Sequence, residues 1–220
     1  MKKILLTATM IIGMACMMWG QEAKYTPLYY HRASLFEVLP IEKSDIVFLG
    51  NSIIHYCEWA ELFNDSHIKN RGISGDIVQG VYDRLDPIIE GQPKKIFLMI
   101  GVNNLSRDYT VDSTYRGLVK IVDKLTKECP TTKLYIQSGL PVNSTFTNYP
   151  KHRTRGEEIK LYNSMIEKMC NEKGITFINL YPLFKCKDSD ELDPKYTKDG
   201  LHLSGEAYLI WRDAIKKYVK

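Results

Sequence analysis

Net charge is nearly missing from this sequence: 30 Lys and Arg face 26 Asp and Glu, a formal +4 over 220 residues. The small excess is spread as single residues, so nucleic acid is not an expected partner. Cysteine is scarce and forms no C-x-x-C pair. His55 and Cys57 alone do not make a metal site, so neither a metal nor a cofactor is expected. No repeat, low-complexity tract or linker divides the chain, and one domain of this length buries a sizeable core. No G-x-G-x-x-G loop follows any strand-like run, which argues against a flavodoxin-like nucleotide binder.

One long apolar run is present, at the start. "MKK" precedes "ILLTATMIIGMACMMWG", and polar "QEAKY" follows. A basic stretch, an apolar stretch and a small residue at Gly20 are the layout of a secretory leader, expected to span residues 1–20. An uncleaved membrane anchor and lipidation at Cys16 after "GMA" are the alternatives. Each implies export, to the periplasm or the medium, with the membrane touched only through this segment. Residues 21–44 are read as a lead-in and residues 45–220 as the folded domain. Cys57, Cys129, Cys170 and Cys186 are expected mostly as buried thiols, with a disulfide possible after export.

Beyond the leader, strand-like and helix-like segments alternate. "DIVFLG", "IKNRG", "KKIFLMIG", "KLYIQSG" and "ITFINL" read as strands, the third an unbroken apolar run of the kind buried on both faces. Between them the apolar residues fall at helical spacing. Ile77, Val81, Leu85 and Ile88 predict one helix across 77–91. Tyr115, Leu118, Val122 and Leu125 predict a second, and Ile159, Tyr162, Ile166 and Met169 a third. A closing helix would bury Ala207, Ile210, Trp211, Ala214 and Tyr218. This alternation predicts an α/β domain with a parallel sheet covered on both sides. The two irregular stretches, 141–155 and 181–202, each follow a strand and belong on the edge of the sheet where such proteins place their chemistry.

Four polar clusters fall on that edge: Gly50-Asn51-Ser52, "NRGISGD" at 70–76, "GVNN" at 101–104 and "DGLH" at 199–202. Singly each has an ordinary reading, as a strand end, a helix cap or a turn. Jointly they supply an acyl-transfer site: a hydroxyl nucleophile, its base, an orienting carboxylate and donors for an oxyanion. Ser52 is the candidate nucleophile, His202 the base and Asp199 its orienter. The N–H groups of Ser52 and Gly75 and the side-chain amide of Asn103 are the candidate donors. Asp193 is the nearest competing acid. The G-x-S-x-G elbow of α/β-hydrolases is absent, and Ser52 lies too early in the chain for that fold.

The four blocks, in this order, resemble those of the SGNH (GDSL-like) hydrolase family, from about Asp45 to the C-terminus. Within it the chain looks closest to exported bacterial esterases of the platelet-activating-factor acetylhydrolase type. The resemblance implies a flavodoxin-like three-layer α/β/α sandwich with a five-stranded parallel sheet. Two positions depart from the family pattern, Asn51 and Asn104, where the family usually carries aspartate.

The substrate is less constrained. No long apolar insertion could form a lid or acyl tunnel, and the 141–155 loop is polar, with Asn143, Asn148, Lys151, His152, Arg153 and Arg155. Such a rim suits a hydroxyl-rich or anionic substrate. The leading expectation is therefore a serine esterase removing acetyl or another short acyl group from carbohydrate. A lysophospholipase or thioesterase is the alternative within enzymes, and a non-catalytic glycan-binding module the alternative outside them.

Overall fold

The computed structural model describes residues 23–220, so the leader reading and Cys16 lie outside the described residues. Five strands form one all-parallel sheet: β1 (Ile46–Gly50), β2 (Ile68–Gly72), β3 (Lys95–Met99), β4 (Lys133–Gln137) and β5 (Thr176–Ile178). Their spatial order is β2-β1-β3-β4-β5, so the chain reverses its direction of travel beside β1. The register sets Gly50 level with Gly72 on one side and with Met99 on the other. The carboxyl ends of the three neighbouring strands are therefore flush, and the crevice beyond them is the switch point where open α/β sheets bind ligands.

Ten α-helices surround the sheet among the described residues. They are α1 (Pro27–Val38), α2 (Ser52–His55), α3 (Trp59–Phe63), α4 (Val78–Asp83), α5 (Asp86–Gly91), α6 (Val102–Ser106), α7 (Val111–Glu128), α8 (Gly156–Lys173), α9 (Tyr181–Phe184) and α10 (Gly205–Val219). Strand side chains alternate between two cores. Val47, Leu49, Ile96, Leu98 and Ile136 pack with α4, α5, α7 and α8, while Ile46, Phe48, Phe97, Met99 and Tyr135 pack with α2, α3 and α10. Both faces are thus buried, which is why β3 reads as a continuous apolar run. On the second face Phe48, Phe97 and Tyr135 stack across adjacent strands at 4.9 and 4.7 Å.

Three elements differ from the sequence reading. The helix expected across 77–91 is two, α4 and α5, because Pro87 enters the first turn of α5 and has no N–H for a ladder continuing from α4. On α10 the buried residues are Ala207, Tyr208, Trp211, Ile215 and Val219, whereas Ile210, Ala214 and Tyr218 lie at the margin of that core. The lead-in carries α1, whose Tyr29 and Phe36 pack against Ile73 in a small separate core. Cys57, Cys129 and Cys170 are buried thiols, and Cys186 is a partly exposed one.

Candidate active site

Ser52 lies two residues past the end of β1, as the first residue of α2. Asn51 caps that short helix, its Oδ1 accepting from the Ile53 amide at 3.1 Å. An amide oxygen does this as well as a carboxylate would, so asparagine suffices there. Ser52 is buried, and its Oγ lies 2.9 Å from His202 Nε2.

His202 sits just before α10, in a turn that fixes its partner rigidly. Asp199 Oδ1 accepts from the Leu201 and His202 amides at 2.9 and 2.8 Å, and Oδ2 lies 2.7 Å from His202 Nδ1. Thr197 supports this turn from beneath, its Oγ1 accepting from the Asp199 and Gly200 amides. Gly200 itself holds φ at +80°, and a side chain there would strike Phe146 and the Asn143 carbonyl. Burial alone would push the Asp199 carboxyl up, but the two amides and the imidazole outweigh it and hold the group below the usual carboxylate range. An ionised Asp199 puts the proton of neutral His202 on Nδ1 and leaves the Nε2 lone pair facing the serine hydroxyl. Asp193 points elsewhere, accepting from the Lys195 amide and pairing with its ammonium at 3.0 Å.

The candidate donors come from the strands on either side. Gly75 lies three residues past β2 and Asn103 four past β3, flanking Ser52 at neighbouring strand ends about 4.8 Å apart. Gly75 has φ +77°, a left-handed conformation that glycine takes without a Cβ penalty. Its carbonyl accepts from Arg107 Nη2 at 2.7 Å. Among the described residues neither the Ser52 nor the Gly75 N–H has an acceptor within the protein. Asn103 donates one Nδ2 hydrogen to the Asp76 carbonyl at 2.8 Å. Asn104 turns away from the site and accepts from the Val78 amide at 2.9 Å, capping α4.

The sequence reading missed the supports beneath these groups. Asp76, the last residue of "NRGISGD", forms a buried ion pair with Arg84 at 2.8 Å. Arg84 also donates to the Arg71 and Gly50 carbonyls, tying β1, β2 and the Gly75 loop to one guanidinium. His55 Nδ1 accepts from the Ser74 amide at 3.1 Å, which steadies the same loop from α2. His152 Nε2 lies 2.9 Å from Asn103 Oδ1. Nothing in the spacing marks these long-range partners. The basic residues of the 141–155 loop have a structural use instead. Arg153 binds the Phe146 carbonyl and Arg155 pairs with Glu158 and Asp108, which leaves little to greet an anionic substrate.

A relay of hydroxyl, imidazole and carboxylate at a strand edge, with flanking donors, is the geometry of acyl transfer. A family model described as GDSL-like Lipase/Acylhydrolase matches residues 48–210, most of the chain. The chain belongs to the GDSL-like lipase/acylhydrolase family. The platelet-activating factor acetylhydrolase IB subunit alpha1 of Rattus norvegicus is 33% identical over 106 residues, 46% of this chain and 45% of that one. The match therefore spans less than half of that relative's length. A GDSL-like lipase from Bacteroides thetaiotaomicron shares the fold with a TM-score of 0.76 and 25% identity, over 87% of this chain and 96% of that one. A catalytic mutant of an acetylxylan esterase from Geobacillus stearothermophilus aligns with a TM-score of 0.63 and 18% identity, over 81% of this chain and 94% of that one. The three-layer α/β/α arrangement is thus that of the family's solved structures.

Proposed function

We propose that this member of the family is a serine esterase that removes short acyl groups, acetyl first among them, from carbohydrate. The Ser52–His202–Asp199 relay, at 2.9 and 2.7 Å, carries the reading. In this scheme Ser52 Oγ attacks the ester carbonyl while His202 Nε2 takes its proton. The carbonyl oxygen becomes an anion facing the Ser52 and Gly75 N–H groups and the free Nδ2 hydrogen of Asn103. As the C–O bond breaks, His202 returns the proton to the departing alcohol, leaving an acyl ester on Ser52. Water, deprotonated by His202, then attacks that ester, and collapse of the second tetrahedral adduct releases the acid and restores the hydroxyl.

One observation supports carbohydrate as the substrate class. The His202 ring lies close to two exposed tyrosine rings, Tyr56 at 5.0 Å and Tyr149 at 5.1 Å. The leaving-group oxygen must reach His202, so the alcohol lies against these rings. The C–H face of a sugar ring lies flat on aromatic surface while its hydroxyls stay in water.

The experiment has two arms. In the first, a fluorophosphonate probe should label Ser52, and Ser52→Ala should abolish both labelling and hydrolysis. In the second, p-nitrophenyl esters from acetate to palmitate should fall off steeply beyond butyrate, and acetylated xylo-oligosaccharides should release acetate. Rates that hold or rise toward palmitate would hand the site to a lysophospholipase or thioesterase. Binding of glycan with no labelling at all would make it a glycan-binding module.

A further inference from the structure

One half-buried titratable side chain beside the site has no part in the proposed chemistry. His152 belongs to the 141–155 loop, far from Asn103 in sequence, yet its Nε2 lies 2.9 Å from Asn103 Oδ1. We infer that His152 is a positioning residue, whose Nε2–H locks the Asn103 amide so that its one free hydrogen faces the developing oxyanion. This rests on the acyl-transfer reading of Ser52, His202 and Asp199.

The hydrogen-bond inventory fixes the orientation of both groups. The Asp76 carbonyl 2.8 Å from the amide can only accept, so the atom facing it is the Asn103 nitrogen. Turning the amide over would set its oxygen against that carbonyl, two acceptors with no proton between them. Asn103 Oδ1 therefore faces His152, and an amide oxygen has no proton to give. The imidazole is the donor, and its Nε2 carries hydrogen. With the amide plane pinned at both ends, one Nδ2 hydrogen is committed to Asp76 and the other has no acceptor among the described residues. Rotation about the last torsion of the side chain would break both pins at once.

The loop delivers His152 by short-range geometry. Its backbone N–H donates to the Tyr149 carbonyl at 2.8 Å. The Tyr149 ring packs edge-on against His152 at 5.7 Å and edge-on against His202 at 5.1 Å. A single aromatic residue thus sits between the base and the support of the amide donor. Burial, helped by the fields of His202, Arg107 and Arg155, lowers the His152 imidazole to about 4, so it is neutral wherever the base works. A neutral donor orients the amide without adding a second cation beside His202.

The test is a set of variants in the full chain, assayed on p-nitrophenyl acetate. His152→Phe keeps a ring and removes the donor, and should lower kcat about 10- to 100-fold, the scale of a small misplacement of a catalytic group. KM should stay within about twofold, since the lost interaction belongs to the transition state. His152→Ala, also without a donor, carries the same expectation should the phenylalanine variant fold poorly. His152→Gln, which restores an N–H at similar reach, should recover most of the rate. The decisive measurement is the double variant His152→Phe/Asn103→Ala, which should be no slower than Asn103→Ala alone, because both changes disable one donor. A donorless variant at full kcat, or losses that multiply in the double variant, overturns the positioning role. Labelling of wild-type Ser52 by a fluorophosphonate separates the two levels. A wild type that neither labels nor hydrolyses any ester overturns the acyl-transfer reading and this inference with it, whereas an active, labelled wild type beside an unimpaired His152→Phe overturns this inference alone.

Discussion

Asp199 commits both carboxylate oxygens to one histidine, Oδ1 to its backbone amide and Oδ2 to its ring. Asp199→Asn keeps the shape but can no longer impose the Nδ1–H tautomer or stabilise the imidazolium. It should lower kcat by about 10³–10⁴-fold across the whole pH range. Asp193→Asn, altering a group tied to Lys195, should stay close to wild type, and the reverse ranking in a pH–rate profile would reassign the orienter. The adjacent asparagines make a second contrast. Asn103→Ala removes a proposed oxyanion donor and should cost about 10²–10³-fold in kcat with little change in KM. Asn104→Ala removes the cap on α4 and should cost about 1 kcal/mol of stability in urea melts, with kcat affected far less. Matching kinetic losses at the two positions would mean that the amide nearest the oxyanion has been misassigned.

At the scale of elements, the sheet and the relay were legible in the sequence and their supports were not. Strands buried on both faces announce themselves as apolar runs, as Ile96 to Ile100 does, and three of the four polar clusters then fall at strand ends by position alone, the fourth lying just before α10. The break between α4 and α5 was written in Pro87, but the apolar spacing from Ile77 to Ile88 runs through it and masks it. The supporting roles of Arg84, His55 and His152 were not legible for a different reason. Their partners, Asp76, Ser74 and Asn103, are fixed by tertiary packing, and no local spacing encodes that. Lys95 is a further case. It opens β3 as an apparently ordinary surface lysine, yet it is buried and donates to the Tyr218 and Val219 carbonyls at 2.7 and 3.0 Å. Burial lowers its ammonium below the usual lysine value, while the last carbonyls of α10 supply the negative end that keeps a cation there. Lys95→Met should therefore cost about 1.5–3 kcal/mol, the range for hydrogen bonds to a charged group, read as a lowered urea midpoint. A variant as stable as wild type would show that the clamp on α10 is dispensable.

The whole molecule carries two imidazoles, His55 and His152, that the fold holds neutral beside the loops bearing Gly75 and Asn103. Burial lowers both below the ordinary histidine value, His152 to about 4. In the unfolded chain they protonate near pH 6.5, so between about 6.5 and 4 the unfolded state binds more protons than the folded one. Stability must then fall as pH falls through that window, and the loss due to His152 is complete below about 4. Asp199, whose carboxyl is held below its usual range, adds its own loss only at still lower pH. The two effects are therefore separable by pH. The histidines also differ in what a proton does to them. His55 Nδ1 is an acceptor for the Ser74 amide, so protonation breaks that bond and frees the loop bearing Gly75, whereas protonated His152 still donates. His55→Asn keeps an acceptor near the Nδ1 position and His152→Gln keeps a donor near Nε2, and neither titrates. Thermal melts at pH 7, 5.5 and 4 should show wild-type Tm dropping through the histidine window and the double variant His55→Asn/His152→Gln dropping less. Parallel curves for the two proteins would place the acid sensitivity in groups other than these imidazoles.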